Sequence, residues 1–353
     1  MTSALDIEAV EGNPVLVELT RGGIVESRHR GAFCIAHADG SVMLNGGHCQ
    51  EAVFPRSSIK AFQALAVMES GAFDHFGFSD EQIALACASH GGQARHTKTA
   101  LAMLQRAEVT EADLECGGHW PTYQRRTNEM IAAGERPGPV HNNCSGKHAG
   151  MLALARKLGV ETAGYVREEH AVQQAMRRTI EELCERDLSQ AAVGIDGCSV
   201  PTWAVPLDDL ARAFARFGGR RTGSVIRDEG CARILAAVRA HPFMVAGTGR
   251  FCTDVMAAIP RLFVKTGAEG VFCGCVPSLG IGFALKCEDG ATRASEAATA
   301  GLLLCLDTWG PAEQEILNSL ARQSLLNRNR LEIGEIRPSS FLKGLNGNIS
   351  AAI

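Results

Sequence analysis

The chain has 353 residues, a formal net charge of -4 and a pI of about 6.3, and 21% of its residues are charged. This length suits one large domain or two ordinary ones with a full hydrophobic core. The scattered, mildly acidic charge disfavours nucleic acid and anionic membranes as partners. The N-terminus lacks the pattern of a signal peptide, and no apolar run reaches the length of a membrane span. We therefore expect a soluble, cytoplasmic protein.

Strands are predicted at both ends of the chain, with helices between them. The first fifty residues are short apolar or alternating runs broken by glycine, which predicts β-structure. Roughly residues 55–240 are mostly helical, and residues 261–293 return to strands joined by Gly-rich turns. Ala294–Leu306 predicts a nearly all-apolar helix that must be buried. We predict an α+β fold in a single domain, residues 1–353, in which an antiparallel sheet from both chain ends is packed by helices.

The thirteen cysteines are spread from Cys34 to Cys305. In a long chain without an export signal, most of them are expected to be reduced thiols. Several lie in apolar runs and are interpreted as small hydrophobic core residues.

The stretch FPRSSIKAFQALAVMESG, residues 54–71, predicts a helix that Pro55 can begin and Gly71 can end. Ser57 and Lys60 are three residues apart and therefore neighbours on one helical face. A hydroxyl beside an amine that burial can keep neutral is a minimal pair of nucleophile and base. The alternative is that Ser57 caps the helix and Lys60 is a solvated surface charge.

Two further elements follow in an informative order. Ser89 ends a predicted helix before His90, and Lys265-Thr266-Gly267 ends the apolar run RLFVKTG. Ser-x-x-Lys, Ser-Asp-Asn and Lys-Thr-Gly form the motif set of penicillin-binding proteins and class A β-lactamases. The first and third motifs occur here verbatim. The middle motif differs, because Ser89 is followed by His90-Gly91 and not by Asp-Asn. The set predicts acyl transfer to a serine, with lysines as bases.

A second polar constellation is Asn142-Asn143-Cys144-Ser145-Gly146-Lys147-His148, together with Asp196-Gly197-Cys198. These are residue types that bind metals, although Cys-x-x-Lys-His is not a standard zinc spacing. A polar loop at a helix start is one alternative. A nucleophilic Cys144 with a pKa lowered by the helix N-terminus is another.

Taken together, the strings FPRSSIKAFQ, CASHGG, HNNCSGKHAGML, GIDGCSVP and KTGAEGVF resemble the asparaginases of the Rhizobium etli type. The resemblance extends from about Val15 to Asp307. It implies a fold similar to serine β-lactamases and penicillin-binding proteins. It also implies hydrolysis of L-asparagine to L-aspartate and ammonia by a homodimer.

The resemblance also implies roles for individual residues. The family's two Ser–Lys tandems fall on Ser57 with Lys60 and on Ser89 with Lys265, with Ser57 as the nucleophile and Lys60 as its base. Arg56, beside that nucleophile, is implied to bind the substrate or shape its site.

The family's zinc site falls on Cys144, Lys147 and Cys198. Two thiolates and an amine leave zinc a weak Lewis acid, so the metal is expected to modulate the site rather than to attack. His148, next to Lys147, is implied to bind the substrate.

Two other functions are consistent with parts of the sequence. One is a β-lactamase or transpeptidase-like acyl-serine enzyme acting on other amides, which the altered middle motif and the absence of an export signal disfavour. The other is a zinc-binding regulatory or scaffold protein that has lost the chemistry, which the intact Ser–Lys pairs disfavour.

Overall fold

The computed structural model describes residues 12–345. Within this range the strands are β1 (Val15–Arg21), β2 (Ile24–His37), β3 (Val42–Gly46), β4 (Ala52–Val53), β5 (Val193–Ile195), β6 (Pro201–Trp203), β7 (Val205–Pro206), β8 (Phe263–Thr266), β9 (Val271–Val276), β10 (Ile281–Cys287), β11 (Gln323–Leu326) and β12 (Glu332–Pro338). The α-helices are α1 (Lys60–Glu69), α2 (Ala72–His75), α3 (Asp80–Ala86), α4 (Ala94–Arg106), α5 (Gln124–Ala132), α6 (Ser145–Leu158), α7 (Ala171–Cys184), α8 (Leu207–Gly219), α9 (Val225–Ala240), α10 (Pro242–Val245), α11 (Phe251–Ala258), α12 (Thr292–Leu304), α13 (Pro311–Ala321) and α14 (Ser340–Gly344).

The described chain divides into two compact units. The first comprises residues 12–58, 205–219 and 264–345, and the second comprises residues 59–204 and 220–263. The first contains the sheet, and the second is mostly helical. The α+β class predicted from the sequence is therefore confirmed.

The sheet of the first unit is built from both ends of the chain. Its strand order is β11-β12-β1-β2-β10-β9-β8, and β3 pairs with β2. β1 is antiparallel to β12, with Val17 opposite Pro338, and β2 is antiparallel to β10, with Phe33 opposite Leu285. The prediction that strands from the two ends form one antiparallel sheet is confirmed.

Helices α8 and α12 cover this sheet. Gly282 of β10 allows α8 to approach closely, because a Cβ there would lie 2.3 Å from the Ala211 carbonyl oxygen. The predicted apolar helix corresponds to α12 and is buried along most of its length. It packs against β1, β9, β10 and β12.

The second unit is a helical bundle in which α1 packs against α6, α7 and α9. The first eleven residues of α6, from Ser145 to Ala155, are all buried. A helix that is buried on every side at its N-terminal half fixes the side chains of that segment in the interior.

All thirteen cysteines lie within the described range, and all are buried free thiols, as expected. Across residues 12–345 there is no helix with both the length and the apolar character to span a membrane.

Candidate active site

The turn that carries Ser57 belongs to the first unit. It is a 3-10 turn, Arg56–Ile59, and α1 begins only at Lys60, so the helix start predicted at Pro55 is wrong by one turn. The reason is local: Arg56 has φ = 52°, in the left-handed region that side chains rarely adopt. Such strain persists only where the surroundings enforce it, and it is common at functional turns. Ser57 is half-buried, whereas Ser58 is fully buried.

The Pro55 carbonyl holds this turn together. It accepts the Ser58 N–H at 3.1 Å and the Ser58 hydroxyl at 2.7 Å. Cys273 of β9 donates to the same hydroxyl at 3.3 Å, and burial raises the pKa of Cys273 to about 12, so the thiol keeps its proton. Gly267 lies against the carbonyl, because a Cβ there would be 2.7 Å from Pro55 O.

Lys265 is a buried residue of β8, also in the first unit. It is 1% exposed, and its Nζ donates to the Thr266 carbonyl at 2.8 Å. Lys265 is therefore shielded from solvent. Its predicted pairing with Ser89 stays a prediction.

Lys60 lies at the centre of a polar cluster in the second unit. Its side chain is fully buried. Its Nζ donates to the Ala88 carbonyl, to Ser89 Oγ at 3.0 Å and to Cys144 Sγ at 3.1 Å. These three contacts hold the Lys60 amine in place within the cluster. The alternative interpretation of Lys60 as a solvated surface charge is excluded.

The loop before α6 positions Cys144. The Asn142 side chain donates to the Cys116 carbonyl at 2.8 Å, and its oxygen accepts the Cys144 N–H at 2.8 Å. At Gly146 a Cβ would lie 2.4 Å from the Leu85 carbonyl oxygen, so only glycine lets the helix start approach α3 this closely. The first turn of α6 is thereby fixed in the interior.

Cys144 and Cys198 share a hydrogen bond. This bond lowers the pKa of Cys144 well below its ordinary value, and the charges of Lys60 and Lys147 act in the same direction against burial. The same bond, followed by burial, raises the pKa of Cys198. The pKa of Cys144 is therefore the lower of the two, and Cys198 loses its proton less readily.

Lys147 completes the cluster, with its Nζ 3.2 Å from Cys198 Sγ. Burial opposes its charge, but the nearby Cys198, Cys144 and Asp196 outweigh burial and raise the pKa of Lys147. The three predicted metal ligands therefore lie in one hydrogen-bonded cluster.

The donor set of this cluster fits zinc. Two sulfur atoms and one amine nitrogen are ligands that zinc accepts. Loss of the protons on Cys198 and Lys147 would remove two positive charges, which one Zn²⁺ ion restores, so the buried charge would not change. Among residues 12–345 no group of three His, Cys, Asp or Glu side chains is arranged to hold a metal.

His148 follows Lys147 in the first turn of α6 and is fully buried. Its Nδ1 lies 2.6 Å from Tyr165 Oη. Burial, followed by the charges of Lys147 and Lys60, lowers the pKa of His148 well below its ordinary value. His148 is therefore a neutral imidazole beside the cluster.

Sequence reasoning missed several members of this environment. Tyr165 lies in a loop without a motif. The His90 ring contacts Ser145 Oγ through Nε2 at 2.9 Å and accepts the Gly92 N–H at 3.1 Å through Nδ1. His90 directly follows Ser89 in the sequence, and this adjacency could have identified it as a member of the site.

Comparison with known proteins gives the family. A family model described as L-asparaginase II matches residues 17–338, most of the chain. The chain belongs to the L-asparaginase II family. No curated protein matches the sequence.

Solved structures resemble this L-asparaginase II family member only distantly. "Mglu in its native form" has 15% identity and a TM-score of 0.34, covering 80% of this chain and 66% of that one. "Mglu in its tris and glutamate form" has 16% identity and a TM-score of 0.35, and the match covers 81% of this chain and 61% of that one. D-alanine carboxypeptidase AmpC from Burkholderia cenocepacia has 12% identity and a TM-score of 0.36, covering 75% and 90%. The chain spans about two thirds or less of the Mglu chains.

Proposed function

We propose that this protein is an L-asparaginase of the Rhizobium etli type, which hydrolyses L-asparagine to L-aspartate and ammonia through an acyl-serine intermediate. The observation that supports this most strongly is the contact set of Lys60. The lysine that follows Ser57 by three positions is fully buried and hydrogen-bonded to both Ser89 and Cys144. A buried amine at that position suits a base, which a solvated lysine does not.

In the first step, Ser57 Oγ attacks the side-chain amide carbon of the substrate while the Lys60 amine takes the hydroxyl proton. The tetrahedral intermediate collapses when the C–N bond breaks and the departing nitrogen receives the proton that Lys60 took from Ser57, which gives ammonia and an acyl-Ser57. Water then attacks the acyl carbon and loses its proton to the same base, and aspartate leaves with Ser57 restored. Each proton taken is returned, so no other reactant is required.

The second pair, Ser89 and Lys265, is proposed to relay protons to the leaving group. The Lys60–Ser89 hydrogen bond of 3.0 Å gives the serine a proton path to the base. Arg56 and His148 are proposed to bind the substrate.

Zinc is proposed to bind through Cys144, Lys147 and Cys198. When bound, it supplies a fixed positive charge that polarises nearby groups, and it modulates the site rather than acting as the nucleophile. Its binding requires a neutral Lys147 and two thiolates, which takes both protons from this hydrogen-bonded cluster.

We also propose that the protein is a cytoplasmic homodimer, as the family resemblance implies. Light scattering of the purified chain tests the assembly: a dimer has twice the chain mass of 37.5 kDa. A mass of one chain at micromolar concentration would contradict the dimer.

The function is tested by ammonia release from L-asparagine, with L-glutamine as a second amide and nitrocefin as the β-lactam probe. We expect release from L-asparagine and no nitrocefin turnover. Nitrocefin turnover without ammonia release would favour the β-lactamase-like alternative. Electrospray mass spectrometry of the stopped reaction would show the acyl adduct on the peptide that contains Ser57.

A further inference from the structure

The His148 imidazole has one satisfied nitrogen and one that is not. Its Nδ1 lies 2.6 Å from Tyr165 Oη, but its Nε2, although buried, has no hydrogen-bond partner anywhere in residues 12–345. Buried polar nitrogens almost always have a partner. An exception beside a candidate active site indicates a place for a ligand atom.

Tyr165 determines which nitrogen of His148 carries the hydrogen. Tyr165 is fully buried, and its Oη accepts the Glu115 backbone N–H at 3.0 Å, a group that can only donate. Burial raises the pKa of Tyr165, so the phenol keeps its hydrogen. Within the described chain, the acceptor that this hydrogen has is His148 Nδ1.

Because Nδ1 accepts from Tyr165, it carries no hydrogen itself, and the ring hydrogen must be on Nε2. The opposite tautomer would leave the Tyr165 hydroxyl hydrogen buried without an acceptor. Glu115, Tyr165 and His148 therefore form a directed chain of hydrogen bonds that ends in an unused N–H donor.

We propose that Tyr165 is a positioning residue that fixes His148 in the Nε2–H form, so that Nε2 donates to an oxygen atom of the bound amide substrate. This inference rests on the proposed function. An Nε2–H group has no free lone pair, so His148 in this form cannot be a zinc ligand.

The first experiment reads the tautomer directly and needs no activity. Full-length wild type and Tyr165→Phe, labelled with ¹⁵N-histidine, are compared by long-range ¹H–¹⁵N correlation spectra, with His148→Gln to assign the resonances. We expect wild type to show a protonated Nε2 and a bare Nδ1, and Tyr165→Phe to show a mixture or the reverse. A protonated Nδ1 with a bare Nε2 in wild type overturns the proposal, and so does an unchanged tautomer in Tyr165→Phe.

The second experiment tests the donor. Titration of labelled wild type with L-aspartate, the product of the proposed reaction, should shift the His148 Nε2–H resonance downfield. Tyr165→Phe should raise the KM for L-asparagine about tenfold and change kcat less, because ground-state binding loses an oriented donor. An unchanged KM overturns the role of Tyr165.

Two substitutions at His148 keep the test decisive if Tyr165→Phe does not fold. His148→Gln places an amide N–H near the position of Nε2 without requiring Tyr165, whereas His148→Leu has no donor. We expect His148→Gln to keep a KM several-fold lower than that of His148→Leu, and equal KM values for the two variants overturn the proposal. If wild type releases no ammonia from L-asparagine, the proposed function fails, while the tautomer spectra still decide the inference about Tyr165.

Discussion

Lys60 Nζ lies 3.1 Å from Cys144 Sγ, and this contact joins two motifs that are 84 positions apart in the sequence. The Ser-x-x-Lys stretch and the Cys-Ser-Gly-Lys-His string are thereby parts of one polar cluster. A change of charge at the thiols therefore alters the electrostatic environment of Lys60, which is proposed to act as the base. The predictions below test this coupling and the elements around it.

Ser57→Ala should abolish ammonia release and leave the fold intact, because it removes the proposed nucleophile from a half-buried position. We expect a loss of at least about 10³-fold in kcat, since no acyl-enzyme can form. The matched control is Ser319→Ala on an exposed face of α13, which should retain full activity. Substantial activity in Ser57→Ala with an unchanged circular dichroism spectrum would transfer the role of nucleophile to Ser89 or Cys144.

Lys60→Met should reduce kcat by about 10²–10⁴-fold, the usual range for the loss of a general base, and change KM less. The substitution keeps apolar bulk in a fully buried site but leaves the Ala88 carbonyl without its donor. A lower melting temperature is therefore expected as well. Lys98→Met, at an exposed position of α4, serves as the control. Equal kcat values for the two variants would exclude Lys60 as the base.

Zinc affinity should depend steeply on pH. The hydrogen bond to Cys144 and burial raise the pKa of Cys198, and nearby charges raise that of Lys147, so both hold a proton at neutral pH and must lose it on binding. Two released protons predict an affinity that falls about hundredfold for each pH unit of acidification. Competition with a chromophoric chelator at several pH values measures this slope, and a pH-independent affinity would contradict the ligand set.

The same site can be tested by mutation. Cys144→Ser combined with Cys198→Ser should remove zinc from the purified protein, weaken substrate binding and leave the serine chemistry in place. Cys305→Ser, another buried cysteine, should keep its zinc. If purified wild type holds no zinc at neutral pH, even after zinc is supplied, the zinc site is contradicted and these residues have a purely structural role.

Gly267→Ala should impair catalysis although Gly267 does not react with the substrate, because it supports the turn that carries Ser57. A Cβ there would lie 2.7 Å from Pro55 O and 3.1 Å from Val271 Cβ, so the turn that carries Ser57 must shift. A displacement of about 1 Å can cost about 10²-fold in rate, and we expect a loss of that order. Gly344→Ala, where an added Cβ meets nothing within 4 Å, is the control and should be active. Wild-type kcat in Gly267→Ala would mean that the turn tolerates movement.

Stability should fall in mild acid because of His96. Burial lowers the pKa of His96 from 6.5 to about 4, despite its hydrogen bond to the Phe243 carbonyl. As the pH falls from 6.5 to 4, the unfolded chain binds a proton that the folded chain does not, so the free energy of unfolding decreases, by about 3 kcal/mol in total. Denaturant titrations across this window measure the loss, which His96→Gln should reduce and the exposed His75→Gln should not.

The general architecture could be predicted because it depends on patterns that the sequence displays. Apolar runs at both ends of the chain predicted the sheet, and the apolar segment Ala294–Leu306 predicted a buried helix. The start of α1 could not be predicted, because the residue pattern does not show that Arg56 adopts the left-handed conformation. The motifs named Lys60 and Cys144 as candidate site residues, but not the Lys60–Cys144 contact or the hydrogen bond between Tyr165 and His148, since both depend on tertiary packing.

The pairing of β1 with β12 has a consequence for the synthesis of the protein. Thr20 and Glu335 are hydrogen-bonded although they are 315 positions apart. At the usual 5–20 residues per second, a ribosome needs about 15 to 60 s between making one strand and making its partner. During this time the edge of β1 is open to other chains, as unpaired strand edges are. Nascent chains arrested before Glu332 should therefore be the forms that aggregate or recruit chaperones.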